Sequence, residues 1–353
     1  MPPWDPPSLL IRLLASPFIF FLRPLYALLR ALHTPPLTRS SSQQPVRVVC
    51  LSDTHTLQLE AVPNGDILIH CGDMANLGSL DELQAAIDWL KSLPHAHKIV
   101  IAGNHDSWLD ETVRPRLPSA QENADGPALD WGDIHYLQNS SVAISIPPRP
   151  SSPYSARTLN IHGVPQIPQL TASSSSLHAF QYPPDAADSP FPSPIPPDTD
   201  ILVSHSPPRH HMDIFPHSLG CPHLLRAIWR IRPILHVFGH VHANRGMERA
   251  YYDPAQRAWE SLCSRREEGG PLWERGGKGV LWWAFVRGAW LRDALNPAVW
   301  MDGVTVLWYA AKTVVWTRVW GGDGTGLGKE GWLVNAACMG EDGKLRGGTV
   351  IDL

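Results

Sequence analysis

Val46–His55 reads VRVVCLSDTH. From Val46 to Leu51 the run is apolar and mostly β-branched, with Arg47 its one polar residue. A short run of this kind suits a strand buried on both faces, in the middle of a layered α/β sheet. Ser52, Asp53, Thr54 and His55 follow at once. A carboxylate and an imidazole on the loop leaving a core strand sit where α/β folds place their chemistry. Alone, D-x-H arises by chance, so its weight depends on whether other strands deliver similar residues.

They do. Asp66–His70 (DILIH) ends in Cys71-Gly72-Asp73, and Lys98–Ile101 ends in Gly103-Asn104-His105-Asp106. Asp200–Ser204 (DILVS) delivers His205, and Ile234–Phe238 delivers Gly239-His240-Val241-His242. Between the second and third strands, Ser79–Leu93 carries an N-cap serine, acids at Asp81 and Glu82, and apolar Leu83, Ala86, Ile87 and Leu90. That pattern predicts a helix with its dipole complemented and one face buried. Cys221–Ile231 predicts another helix. Strand–helix–strand alternation predicts an α/β layered fold. Ile134–Leu137, Val142–Ile146 and Thr158–Ile161 are shorter strands, assigned to a second sheet. Trp332–Ala336 and Thr349–Leu353 close the domain as strands.

The strand ends supply Asp53, His55, Asp73, Asn104, His105, His205, His240 and His242. Asp, Asn and imidazole form a mixed oxygen and nitrogen environment suited to manganese, iron or zinc. There are more donors than one divalent ion needs and about enough for two, and a carboxylate such as Asp73 could bridge ions ~3.5–4 Å apart. The string GNHD is the most specific piece, expected by chance roughly once in several hundred chains of this length. His70 reads as a core histidine, His95 and His97 as surface residues. His162 is divided between substrate contact and loop capping, and His210-His211 between the same roles with capping favoured.

The series DTH, GD, GNHD, SH, GHVH resembles the calcineurin-like metallophosphoesterase superfamily over residues 46–245 and the last two strands. Within it, GDMANLGS and SHSPP…GCPHLL…HVFGHVH resemble the small metallophosphoesterase-domain proteins similar to class III cyclic-nucleotide phosphodiesterases. The protein Ser/Thr phosphatase branch would carry Asp-Arg-Gly after the GD pair; here Ala75, Asn76, Leu77 and Gly78 stand there. The resemblance implies a two-sheet β-sandwich flanked by helices with a dinuclear metal site at the strand ends. It implies one divalent ion on Asp53, His55, Asp73 and His242, and a second on Asp73, Asn104, His205 and His240. His105 matches the family's non-ligand histidine, a donor to the departing oxygen, with Asp106 expected to orient it. The implied reaction is hydrolysis of a phosphodiester or phosphomonoester by a hydroxide bridging the two ions. A catalytically silent metal-binding scaffold is the alternative.

Elsewhere the chain reads as additions to a 46–353 domain. Residues 1–45 form an apolar, Pro-rich N-terminal extension and linker, whose longest uncharged stretch, Leu13–Leu22, is too short to span a bilayer. It lacks the marks of a secretory signal. Residues 147–198 form a Pro/Ser-rich insertion expected to be mobile apart from 160–168, so that deleting 170–198 would barely change activity. Residues 253–330 form a Trp-rich insertion, which either buries its own rings or lies at a membrane interface. The 353 residues carry a net charge of −4 with no basic block, which argues against a nucleic-acid partner and for a small phosphorylated substrate. Five scattered cysteines suit a reducing, cytoplasmic compartment, with membrane association through the N-terminal segment as the open question.

Overall fold

The computed structural model describes residues 9–10, 13, 16–32, 44–117, 128–150, 153–169, 178–183, 186–213, 218–267, 293–319, 330–340 and 342–353, and thirteen strands and five α-helices lie wholly among them. The chain divides into two compact units: 39–213, 219–249 and 331–353 make the larger, and 1–38, 214–218 and 250–330 make the smaller.

The larger unit is a two-sheet sandwich. Its first sheet contains β1 (Arg47–Leu51), β2 (Ile67–His70), β3 (His97–Val100), β4 (Ile134–Tyr136) and β13 (Thr349–Asp352), in the order β13-β1-β2-β3-β4. All pairs are parallel except β13 with β1. The second sheet contains β5 (Ser140–Ile146), β6 (Arg157–Val164), β9 (Ile201–Ser204), β10 (Leu235–Phe238), β11 (Gly246–Ala250) and β12 (Gly331–Asn335), in the order β11-β12-β10-β9-β6-β5. A short ribbon of β7 (Ile167–Pro168) and β8 (Gln181–Tyr182) stands apart.

The alternation of a strand's side chains explains the layering. Val48 and Cys50 of β1 join Ile67, Ile69, Ile99, Ile161, Val203 and Val237 in the core between the sheets. Val49 and Leu51 point the other way, into a second core with Leu83, Ile87 and Leu90 of α2 (Leu80–Ser92). The apolar run of β1 therefore serves two cores at once. Helix α2 starts with a full capping box, in which Ser79 Oγ accepts from Glu82 N while the Glu82 side chain accepts from Ser79 N. Helix α3 (Pro222–Ile231) is capped by Cys221, whose Sγ accepts from Leu224 N.

Three expectations are corrected here. Ile134–Tyr136 pairs with β3 in the first sheet, not the second. His95 is buried, with Nε2 2.9 Å from Pro63 O, rather than lying on the surface. The segment 147–198 is pinned well beyond 160–168: Ile167 N donates to Phe180 O, and Arg230 of α3 donates to Ile195 O at 2.6 Å.

The smaller unit is helical among its described residues: α1 (Pro17–Leu32), α4 (Pro254–Glu267) and α5 (Pro297–Val319). Leu22, Ala258, Leu262, Val299 and Val306 form its core, and Tyr26 stacks on Trp259 with centroids 5.2 Å apart. Arg30 and Asp253 make a buried two-point ion pair at 2.7 and 2.6 Å. The N-terminal segment and the Trp-rich stretch thus share one unit. Trp282, Trp283, Trp290 and Trp320 lie outside the described residues.

Candidate metal centre

The parallel strands of both sheets end on loops that carry the residues singled out in the sequence. β1 leads to Asp53 and His55, β2 to Asp73, β3 to Asn104 and His105, β9 to His205, and β10 to His240 and His242. This is the carboxyl edge at which open α/β sheets bind ligands. The two sheets are tied together here by a bridge between Ser52 and Ala337, with Cys338 N donating to Ser52 O at 2.7 Å.

The backbone is bent to aim these side chains. Asp53, His55, Asp73 and His240 have φ of 55°, 47°, 55° and 69°. Such left-handed conformations cost about 1–3 kcal/mol each and persist where the surrounding structure enforces them. The glycines of GNHD and GHVH are required by close approach: a Cβ on Gly103 would collide with Asp73, and one on Gly239 with the Asp53 carboxylate.

Asp53 is fully buried. Its carboxylate accepts from His240 N at 3.1 and 3.0 Å and stands 3.2 Å from His242 Nε2. His242 Nε2 is 3.4 Å from His55 Nε2, which lies 3.9 Å from Asp73 Oδ2. On the other side, His205 Nε2 is 3.3 Å from Asp73 Oδ2 and 3.1 Å from Asn104 Oδ1. His205 Nδ1 donates to Cys71 O at 2.7 Å, which fixes the tautomer and turns Nε2 toward the carboxylate. The His205 and His240 rings are 5.1 Å apart.

Three overlapping groups result: Asp53, His55 and His242; His55, Asp73 and His105; Asp73, His205 and His240. Within each, the ligand-type atoms all lie within 4.8 Å of one another. Asp73 belongs to two of them. Their chemistry fits a pair of divalent ions, because carboxylate, amide and imidazole donors converge on one strand edge. The carboxylates are held ionised, while His242, though desolvated, is raised by its carboxylate neighbours as His205 is. Burial pushes the Asp53 pKa up, but the His242 hydrogen bond and the charge of His205 bring it down to about 2. Asp73 is likewise held low by His205 against burial. Burial lowers His240 to about 4 and also lowers His55, so both stay neutral imidazoles. His205 is desolvated too, yet the charge of Asp73 lifts it to about 9, a pull with which any cation on Asp73 would compete.

His105 sits beside this set, its ring 5.0 Å from that of His55. Its Nδ1 is 2.7 Å from Asn76 O, which commits that nitrogen as a donor and leaves Nε2 for chemistry. Asp106 does not orient it. The Asp106 carboxylate instead accepts from Gly103 N at 2.8 Å and Ala75 N at 3.0 Å, and so builds the loop. Burial and the neighbouring charge of Asp73 raise its pKa to about 7.

His70 is buried, with Nε2 3.1 Å from Thr54 Oγ1 and Nδ1 accepting from Gly72 N. It supports the two loops from below. His162 is buried against Ser141 Oγ at 2.7 Å, a structural contact between β5 and β6. His211 faces Glu248 at 2.5 Å.

One residue escaped the sequence reading. His178 emerges from the Pro/Ser-rich insertion with its ring 4.8 Å from that of His105 and Nδ1 3.3 Å from Asn104 Nδ2. Ala179 N donates to Asn104 O at 2.9 Å, and Phe180 N to the buried Asp110 carboxylate at 2.7 Å. The short string HAFQY, apolar after a serine tract, was its only signal. Removing 170–198 would take His178 with it, so the expectation of a dispensable segment is withdrawn.

Comparison with known proteins agrees with this geometry. A protein of Emericella nidulans named probable rhamnogalacturonate lyase C is 39% identical over 228 residues, which cover 64% of this chain and 20% of that protein. Human metallophosphoesterase domain-containing protein 1 is 33% identical over 231 residues, 60% of this chain and 66% of that one. A UPF0046 protein of Caenorhabditis elegans is 32% identical over 210 residues, 57% and 65% respectively. The chain spans less than two thirds of the length of each of these relatives. The profile of the calcineurin-like phosphoesterases matches residues 46–244, the span that carries every metal-ligand candidate described above, and the chain belongs to that family.

Proposed function

We propose that this chain hydrolyses a small phosphoester with two divalent ions, one held by Asp53, His55, Asp73 and His242, the other by Asp73, Asn104, His205 and His240. The observation that carries this reading is that Asp73 groups with His205 and His240 on one side and with His55 on the other. His55 in turn groups with Asp53 and His242, the ligand-type atoms of each group lying within 4.8 Å of one another. The bound ions would supply Lewis acidity toward the phosphoryl oxygens and a water acidified to near neutral pH. The chain's own residues do the rest. His240 N and His242 hold Asp53, and His105 N donates to Asp73 Oδ1 at 2.8 Å, so both carboxylates are oriented before substrate arrives. His105, with Nδ1 on Asn76 O, would donate a proton from Nε2 to the departing oxygen. The absence of a basic block in a chain of net charge −4 argues against a nucleic-acid substrate.

The test is hydrolysis of chromogenic phosphodiester and phosphomonoester substrates with and without added Mn²⁺, alongside metal content by mass spectrometry. Turnover that rises with metal and disappears with chelator supports the reading. A folded protein that takes up two ions per chain but turns over neither substrate under any divalent metal would instead be a scaffold.

A further inference from the structure

We propose that the outward faces of α1 and α5 form a docking surface for an anionic membrane, on which the helices lie rather than cross. Each of these helices has two apolar faces. The inner ones, with Ile19 and Leu22 on α1 and Val299, Val306 and Ala310 on α5, are buried. The outer face of α1 presents Phe21, Leu25, Leu28 and Leu32, spaced four, three and four residues apart and therefore on one stripe. On α5, Met301, Val304, Trp308, Val315 and Val319 make a second stripe, with Trp300 and Trp316 beside it. Phe21 is 65% exposed and Trp308 65%. A helix that is apolar all round is ordinarily buried in a core or in lipid. Among the described residues, one face has a core and the other has none.

The charges on the two helices select the occupant. α1 contains no acid, and the one acid of α5, Asp302, is taken up by Ser261 and Arg265 at 2.9 and 3.0 Å. The exposed charges are Arg23, Lys312 and Arg318, all cations. Tryptophan beside apolar stripes, with basic residues and no free acid, is the composition of a helix lying in the headgroup region of an anionic bilayer. An apolar cleft of about 460 Å³ also opens between Phe18, Phe21 and Leu25 of α1 and Trp300 and Leu307 of α5, within the size range of ligand pockets. Among the described residues no helix is long and apolar enough to cross a membrane. A second copy is a poorer fit, because a two-fold interface would set the same cations against one another.

The experiment is co-sedimentation of the full chain with phosphatidylcholine vesicles, with and without phosphatidylserine. Binding should require the anionic lipid and weaken as salt is raised. Trp308→Gln and, separately, Leu28→Gln should each weaken it about tenfold or more, as expected for one large apolar side chain kept out of the bilayer. Lys312→Gln should weaken it a few-fold. All three positions are exposed, so unchanged circular dichroism and unchanged phosphoesterase rate are expected alongside. The proposal is overturned if the wild-type chain fails to sediment with anionic vesicles. It is equally overturned if Trp308→Gln and Leu28→Gln bind as wild type, or if they abolish self-association in sedimentation velocity while vesicles never bind. None of these results touches the phosphoesterase reading.

Discussion

The two units of this chain depart from an ordinary protein surface in opposite directions. The sandwich puts groups that want water inside: Asp53, Asp73, Asn104, Asp106 and His205 are all buried. The helical unit leaves groups that avoid water outside. Among the described residues, every exposed large hydrophobic side chain except Leu57, Leu77 and Met247 belongs to it. Each departure is costly. Burying a charge costs several kcal/mol unless it is paired, and an exposed apolar side chain forgoes about 1.5–3 kcal/mol of burial. A fold keeps such costs where something else is to be bound: cations at one region and lipid at the other, as proposed above.

The sharpest way to break that comparison is Asp73→Ala. It removes the carboxylate common to two ligand-type groups, and activity should fall on the order of a thousandfold or more, the several kcal/mol that metal Lewis acidity supplies. Bound metal should fall with it, while vesicle binding stays at the wild-type level. His105→Ala is the control within the same site. It should keep its metal and lose about 10²–10⁴-fold in kcat, the range for a general acid. Equal loss of metal in both variants would mean that His105 is a ligand.

The converse variant is Arg30→Met in the helical unit. Arg30 is buried on Asp253 and lies under the ring of Tyr251, its guanidinium carbon 4.0 Å from the ring centroid. Removing it strands the Asp253 charge, at a cost of about 3–5 kcal/mol. Hydrogen exchange should show α1, α4 and α5 losing protection and vesicle binding falling, with two-ion content in the sandwich preserved. If metal content fell as well, the two regions could not be treated as separate devices.

The sandwich was legible in the sequence because its strands are uniform apolar runs that end in unusual residues. Val46–His55 and Ile234–His242 announce both the strand and the loop. Sheet membership was less legible. Ile134–Tyr136 is a three-residue strand whose composition says nothing about its neighbour, and only its register against Lys98–Val100 assigns it. Asp106 misled because adjacency in sequence is not adjacency of side chains: His105 and Asp106 diverge, one to Asn76 O and the other to two backbone amides. The joining of residues 1–38 with 250–330 was illegible for a different reason. It depends on long-range pairs such as Arg30 with Asp253 and Phe18 with Trp300, which no local periodicity encodes. Composition misjudged the Pro/Ser-rich stretch, where hydrogen bonds to Asn104 of the GNHD loop and to Asp110 hold what low hydrophobicity alone would not.

That stretch supplies the next test. The Asn104 amide is held at both ends, Oδ1 3.1 Å from His205 Nε2 and Nδ2 3.3 Å from His178 Nδ1. If Asn104 is a ligand as proposed, His178 is a positioning residue, which keeps the oxygen rather than the nitrogen of the amide turned to the metal site. His178→Ala should weaken divalent-ion affinity about 10–100-fold, as loss of a partner behind a ligand does. His178→Asn, whose Oδ1 can take the place of the imidazole Nδ1, should restore most of it. Calorimetric titration with Mn²⁺ reads both, and equal affinities in the alanine and asparagine variants would remove His178 from this role.

A last test addresses the buried polar groups of the sandwich away from the metal ligands. His236 is fully buried beside Ser204. Because the Ser204 hydroxyl donates to Ser206 O at 2.7 Å, its oxygen accepts from His236 Nε2 at 2.8 Å, and His236 Nδ1 is left buried without a partner. Burial lowers the pKa of this imidazole to about 3, against an unfolded value near 6.5. A folded pKa below the unfolded one means that the unfolded chain binds the proton first as pH falls. The stability from a neutral His236 is therefore complete above about pH 6.5 and drains away toward about pH 3, at up to about 1.4 kcal/mol per pH unit. His236→Leu removes that slope and the unpartnered nitrogen together. Urea midpoints for the variant should fall less steeply than wild type between those pH values, and parallel curves would show that His236 already takes up its proton in the folded sandwich.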